Sequence, residues 1–183
     1  MKVITGKVRG MNLAVPHGKH TRPTTCRIKE TLFNIIQADV PDSCFLDLYS
    51  GSGSIAIEAL SRGAKEAVLV DNNKEALKCI RANIEKTGFN NTTQVMPAEA
   101  MQALKRLDGS GKVFDIIFMD PPYGRDFEKE ALNFLLNSSL VKKDTLIIIE
   151  TLIDADISYM ENFPCTLEKV KEYKTNKHIF LRV

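Results

Sequence analysis

From residue 44 onward, short apolar runs alternate with longer segments in which apolar side chains recur every three or four positions. The runs predict strands at 44–49, 66–70, 93–96, 113–119 and 145–150, and the helical spacings predict helices near 54–62, 73–86, 98–107 and 127–137. This alternation implies βαβ units, hence an α/β fold with a mostly parallel sheet covered on both faces. Both ends depart from it. Residues 166–173 and 178–182, separated by Lys-Thr-Asn-Lys, predict a C-terminal antiparallel hairpin closing one side of the sheet. Residues 2–15 alternate loosely around Gly6 and Gly10, which fits short strands or a hairpin. After them Ile28, Leu32, Phe33, Ile35 and Ile36 fall at helical spacing and predict a helix over 25–38, with Thr24 and Thr25 available as caps. No repeat, low-complexity tract or linker interrupts the chain, so one domain is expected, with 1–22 as an N-terminal β extension of the core at 23–183.

Composition narrows the class. The 183 residues suffice for one substantial core, and 44% hydrophobic with 26% charged residues is ordinary for a globular protein. No stretch has the length of a membrane span or the pattern of a signal peptide, so a cytoplasmic protein is expected. Cys26, Cys44, Cys79 and Cys165 lack zinc-ligand or disulfide spacing and are expected to be free thiols, Cys26 in a polar segment and the others in or near the core. His17, His20 and His178 form no constellation and are expected on the surface or in loops; no metal site and no catalytic histidine are predicted.

The charge is uneven. Residues 1–30 carry Lys2, Lys7, Arg9, Lys19, Arg22, Arg27 and Lys29 against Glu30 alone, a local +6 in a chain of net +2, which leaves −4 for the rest. Such a segment suits a polyanion, since Lys and Arg displace counterions from phosphates; a solvated basic edge is the plainer alternative.

The predicted first strand runs into Asp47-Leu48-Tyr49-Ser50-Gly51-Ser52-Gly53, and Ala56 completes a G-x-G-x-x-A pattern. Glycines there let the backbone turn tightly against a ligand, and Asp71, at the end of strand two, stands near the spacing of a ribose-binding acid. A dinucleotide would place its pyrophosphate at the helix start, where Asp47 would repel it. The cationic methionine end of S-adenosylmethionine suits that carboxylate better, which favours the methyl donor. Glu99, after strand three, is positioned to accept from an adenine amino group, or simply to begin a helix.

Strand four ends in Asp120-Pro121-Pro122-Tyr123. An exocyclic amine on a base is a poor nucleophile because its lone pair is delocalised. The Asp120 carboxylate and the Pro121 carbonyl can accept its two N–H groups and align that lone pair with a methyl donor, the prolines hold the corner rigid, and Tyr123 can stack on the base.

With these motifs, the chain resembles the RsmD-type family of bacterial methyltransferases that act on guanine N2 of small-subunit ribosomal RNA. The resemblance rests also on "GKVRGMNLAVP" at 6–16, "RPTTCRIKETLFN" at 22–34 and "EALSRGA" at 58–64. It implies a Rossmann-like class I S-adenosylmethionine-dependent fold with a seven-stranded sheet. Cofactor contacts are expected at Asp47, Tyr49, Ser50, Gly51, Gly53, Asp71, Asn72, Glu99 and Thr24. Catalytic roles fall to Asp120, Pro121, Pro122 and Tyr123, RNA contacts to Lys7, Arg9, Arg22 and Arg27, and Arg22, Pro23 and Thr24 are expected near the active site. Cys26, Tyr49 and Glu99 stand where the family more often has Asp, Phe and Asp. The expected partner is small-subunit ribosomal RNA or an assembling subunit, met as a monomer without metal or membrane. The tetrapeptide also suits adenine-N6 or cytosine-N4 DNA methylation and, with Asn more usual than Asp, protein glutamine methylation; a cofactor-binding RNA module without catalysis is the alternative outside enzymes.

Overall fold

In the computed structural model, which describes residues 1–16, 26–122 and 127–183, strands β1 (Cys44–Asp47), β2 (Glu66–Asp71), β3 (Thr93–Pro97), β4 (Ile116–Met119), β5 (Leu146–Leu152), β6 (Thr166–Glu172) and β7 (Asn176–Arg182) form one sheet. Its order is β3-β2-β1-β4-β5-β7-β6. The first five strands are parallel, and β7 lies antiparallel between β5 and β6. This is the expected class I methyltransferase architecture with its C-terminal hairpin. Helices α1 (Cys26–Ile35), α2 (Ser54–Ser61), α3 (Lys74–Thr87), α4 (Ala100–Leu107) and α5 (Phe127–Leu136) cover it. Among the described residues no helix is long and apolar enough to cross a membrane.

Alternation along each strand divides the core in two. Phe45, Leu69, Phe118, Ile148 and Phe180 meet Leu32, Phe33, Ala56, Leu60 and Ile80 of the first three helices. Leu46, Val70, Met119, Ile149 and Ile179 meet Leu104, Leu107, Leu132 and Leu135 of α4 and α5. Two-sided burial is why these strands read as continuous apolar runs. β4 begins later than the run at 113–119 suggests, because Val113 is exposed, the Phe114 amide donates to the Leu140 carbonyl, and the Asp115 carboxylate accepts from the Cys44 amide at 2.7 Å. β7 starts earlier, at Asn176, so the hairpin turn shrinks to 173–175, closed by the Tyr173 amide donating to the Asn176 carbonyl at 2.8 Å.

The N-terminal segment is a minimal hairpin, with a single antiparallel bridge between Lys2 and Asn12, and Val3 and Leu13 packed on Ile57 of α2. Its turn presses so closely on α2 that a Cβ on Gly6 would stand 1.8 Å from the Ser61 carbonyl oxygen. Glu58 of α2 anchors it: Oε2 accepts from the Ile4 amide at 2.8 Å and Oε1 from the Thr5 amide at 3.0 Å. Lys29 of α1 pairs with the same carboxylate at 3.1 Å, and Arg62 with Oε1 at 2.9 Å. Lys29, counted above with the basic segment, is therefore a buried counter-ion with no access to a polyanion. A helical face brought it against an acid 29 positions away in sequence.

Candidate active site

The loop after β1 is tied down from several sides. Gly53 caps α2 at φ 74°, and a Cβ there would lie 2.9 Å from Leu69 Cδ2, so the turn requires glycine. The Ser50 hydroxyl donates to the Asp47 carbonyl at 2.7 Å and accepts from the Val70 amide at 3.0 Å. The Gly51 amide donates to Asp71 Oδ2 at 2.8 Å, and the Asn83 amide group of α3 donates to the Ser52 carbonyl at 2.9 Å while pairing with both backbone groups of Ala14. Asp71 Oδ1 accepts from the Asn73 amide at 2.8 Å. Beside it Asn72 donates to Glu99, which caps α4, so the ends of β2 and β3 present a linked, exposed rim of acceptors. Burial pushes the half-buried Tyr49 hydroxyl up to about 12, aided by Glu128, Glu130 and Glu99, so it keeps its proton.

Asp47 is the outlier. Its carboxylate is buried, and among the described residues neither oxygen has a hydrogen-bond partner. Burial pushes it up to about 7; the Ala56 amide and Ser50 hydroxyl approach it and offset part of this, and the charge of Asp71 adds to it. An anion kept dry and unpaired at the mouth of a sheet is a costly arrangement without a cation to receive. The site thus fits the ammonium of a methionine-type cofactor.

Alternation extends this chemistry across the sheet. Asp47, Asp71, Asp120 and Glu150 follow Phe45, Leu69, Phe118 and Ile148 by two positions, which places an acid on one face at the carboxyl end of four neighbouring strands. Asp120 lies one residue past β4, and Glu150 one residue past its last paired partner on β5. Among the described residues the Asp120 side chain makes no hydrogen bond of its own. Burial, then the charges of Glu150 and Asp47, hold its carboxyl well above the usual range. Pro121 is buried and Pro122 exposed.

The sequence expectations place His178 on the surface, and the structure corrects this. It is fully buried in β7, directly across from Glu150, with its Nε2 2.9 Å from Glu150 Oε2 and its Nδ1 3.1 Å from the Tyr173 hydroxyl. Glu150, His178, Tyr173 and Asn176 were not singled out from the sequence. The available signal was Glu150 directly after the apolar run Leu146–Ile149.

Arg22, Pro23, Thr24 and Tyr123, with the capping Thr25 and with His17 and His20, lie outside the described residues. Lys7, Arg9 and Arg27 are exposed. They are not gathered around the carboxylates: Lys7 sits on the turn docked at Ser61, the far end of α2 from the Ser50–Gly53 loop, about 12 Å along an eight-residue helix. Arg27 stands on the first turn of α1, near Lys29, whose Nζ is 3.5 Å from the Ser54 carbonyl at the near end of α2. Among the described residues no group of His, Cys, Asp and Glu is arranged to hold a metal.

Known proteins match this chain along most of its length. A family model described as conserved hypothetical protein 95 matches residues 1–182. Ribosomal RNA small subunit methyltransferase D of Haemophilus influenzae is 31% identical over 170 residues, 92% of this chain and 88% of that protein. The protein of the same name from Escherichia coli strain K12 is 32% identical over 154 residues, 84% of this chain and 76% of that one. Among solved structures, a hypothetical protein of Thermus thermophilus superimposes with a TM-score of 0.85 at 29% identity, covering 100% of this chain and 99% of its own.

Proposed function

Because the chain belongs to the conserved hypothetical protein 95 family, the RsmD-type methyltransferases, we propose that it methylates the exocyclic N2 of a guanine in small-subunit ribosomal RNA, with S-adenosylmethionine as donor. The observation that carries this reading is the pairing of two acids on neighbouring strands: a dry, unpartnered Asp47 suited to the cofactor's ammonium, and Asp120 at a rigid proline corner beside it.

In this reading Asp47 receives the ammonium of the cofactor, and the Ser50–Gly53 loop, which Ser50, Asp71 and Asn83 hold in place, bounds its methionine end. Asp71 and Asn72 meet the ribose, Glu99 accepts from the adenine amino group, Tyr49 packs below, and Thr24 completes the set. S-adenosylmethionine, when bound, supplies an electrophilic methyl group. The protein positions the amine: the Asp120 carboxylate and the Pro121 carbonyl accept its N–H hydrogens, which draws the nitrogen toward tetrahedral geometry, and Tyr123 stacks on the base. Lys7, Arg9, Arg22 and Arg27 hold phosphates along an RNA that reaches well beyond the target nucleotide. Residues 1–22 serve as an extension of one catalytic domain at 23–183, acting as a monomer in the cytoplasm on ribosomal RNA or an assembling subunit.

The test is transfer of tritiated methyl from S-adenosylmethionine to small ribosomal subunits from cells lacking the protein, followed by nucleoside analysis. Labelled N2-methylguanosine is the expected product. Label in N6-methyladenine of DNA, or none in subunits and naked ribosomal RNA while cofactor binding persists, would overturn it.

A further inference from the structure

Behind Asp120 the structure holds a polar chain that the roles above leave unused. Glu150 is buried in β5, two residues before its end, yet both of its oxygens have partners: Asn176 donates to Oε1, and His178 Nε2 stands at Oε2. Among the described residues the Asn176 amide oxygen has no partner, and its amide nitrogen donates to Glu150. On the other side of the imidazole, Nδ1 lies 3.1 Å from the Tyr173 hydroxyl, which burial holds up to about 12, with the Glu150 charge adding, so Tyr173 keeps its proton. The edges of Phe118, Tyr173 and Phe180 wall the ring in.

We propose that Glu150, held by His178 and Asn176, is a positioning residue for methyl transfer, whose buried charge makes the neighbouring Asp120 carboxylate the acceptor of the proton that leaves the target amine. This rests on the reading of Asp120 as the group at that amine. A nitrogen that gains a methyl carries one surplus proton. The N–H bond breaks with its electron pair returning to nitrogen, an O–H bond forms on Asp120, and the products are a neutral secondary amine and a neutral carboxylic acid that later releases its proton to water. A carboxylate with no charged neighbour is a weak base for this step; a second negative charge on the adjacent strand strengthens it.

The charged and titratable surroundings agree. Facing Asp120 are Asp47 from β1 and Glu150 from β5, both negative when ionised. Facing Glu150 are His178 and Asn176 from β7, and His178 in turn meets Tyr173 and lies opposite Lys171 of β6 in the ladder. The one lysine buried in α1, Lys29, is committed to Glu58.

The test is Glu150→Gln, which keeps size and one acceptor oxygen and removes charge. Expected are a fall in kcat of about tenfold or more, with KM for RNA and Kd for S-adenosylmethionine within about twofold, and a shift of the acid limb of the kcat–pH profile to lower pH. Glu150→Asp, which restores the charge, should recover part of the rate and return the limb toward its original position. A limb that stays in place in Glu150→Gln, whether or not the rate falls, overturns the proposal, because a merely structural role would leave it unmoved. Should Glu150→Gln not fold, carbon-13 carboxyl titration of wild-type protein labelled at aspartate, with Asp120→Asn for assignment, decides the matter: Asp120 titrating in the ordinary carboxylate range overturns it. That titration also stands if wild-type protein methylates no ribosomal RNA, a result that would sink the reaction assigned above instead.

Discussion

Lys29 Nζ lies 3.1 Å from Glu58 Oε2, and both side chains are wholly removed from solvent. Around that contact two backbone amides of the N-terminal hairpin, the Lys2 carbonyl and Arg62 complete a shared polar centre. It joins the hairpin, α1 and α2, which together frame one side of the cofactor loop. Removing one partner strands the other charge, so Glu58→Ala is expected to destabilise the protein by about 3–5 kcal/mol. Chemical denaturation measures this, and hydrogen exchange should show early loss of protection at the Ile4 and Thr5 amides. Unchanged protection at both would show that the hairpin is held by Val3 and Leu13 alone.

Asp47 sets a conflict between stability and binding. Its native value of about 7 stands above the ordinary 3.8, so the folded protein holds this proton more tightly than the unfolded chain does. Its stabilising contribution is present below pH 3.8 and is lost as pH rises through about 7. Asp47→Asn is therefore expected to raise the melting temperature of the cofactor-free protein at pH 8 while abolishing S-adenosylmethionine binding.

The same proton competes with the cofactor. An ammonium needs the ionised carboxylate, so the Kd for S-adenosylmethionine should rise about tenfold for each pH unit below about 7. Calorimetric titration from pH 5 to 8 checks this; a flat affinity over that range would remove Asp47 from the binding site.

At Asp120, substitution by Ala is expected to lower kcat by about 10²–10⁴-fold and to leave cofactor affinity within about twofold. Single-turnover methyl transfer and calorimetry separate the two effects. Parallel loss of both would mean that the residue holds the cofactor rather than the amine.

For RNA, neutralising Lys7, Arg9 and Arg27 together should make the slope of log K against log salt shallower by about 2, with cofactor affinity unchanged. Equal slopes before and after would assign these side chains to a solvated edge.

How far the sequence was legible follows from the range of the interactions involved. Strands and helices depend on local periodicity, and β1 to β5 with α2 to α5 appear where the apolar runs place them, with ends moved by a few residues. Asp47 and Asp120 stood out in the sequence for the same reason, since each interrupts an apolar run shortly before glycine or proline, whereas Glu150 has neither beside it. Lys29 and His178 were not. Their local context is polar, and what buries them is a partner on another element: Glu58 across a helix pair, and Glu150 across an antiparallel ladder. Val113 misled in the opposite direction, as an apolar residue that extends the run of β4 but remains exposed beyond the end of the ladder.

The position of β7 between β5 and β6 imposes an order on assembly. Among the described residues β6 pairs only with β7, so it joins the sheet together with β7 or after it. Until β7 docks, the edge of β5 is open and Glu150 lacks the partners that Asn176 and His178 bring from elsewhere in the sequence. Closing such long-range contacts is slow relative to local helix formation. A folding intermediate with β1 to β5 in place would thus already possess the Ser50–Gly53 loop and the proline corner, yet be electrostatically incomplete, so that, on the role proposed for Glu150, catalytic competence arrives with the final closure of the sheet rather than with the assembly of that loop.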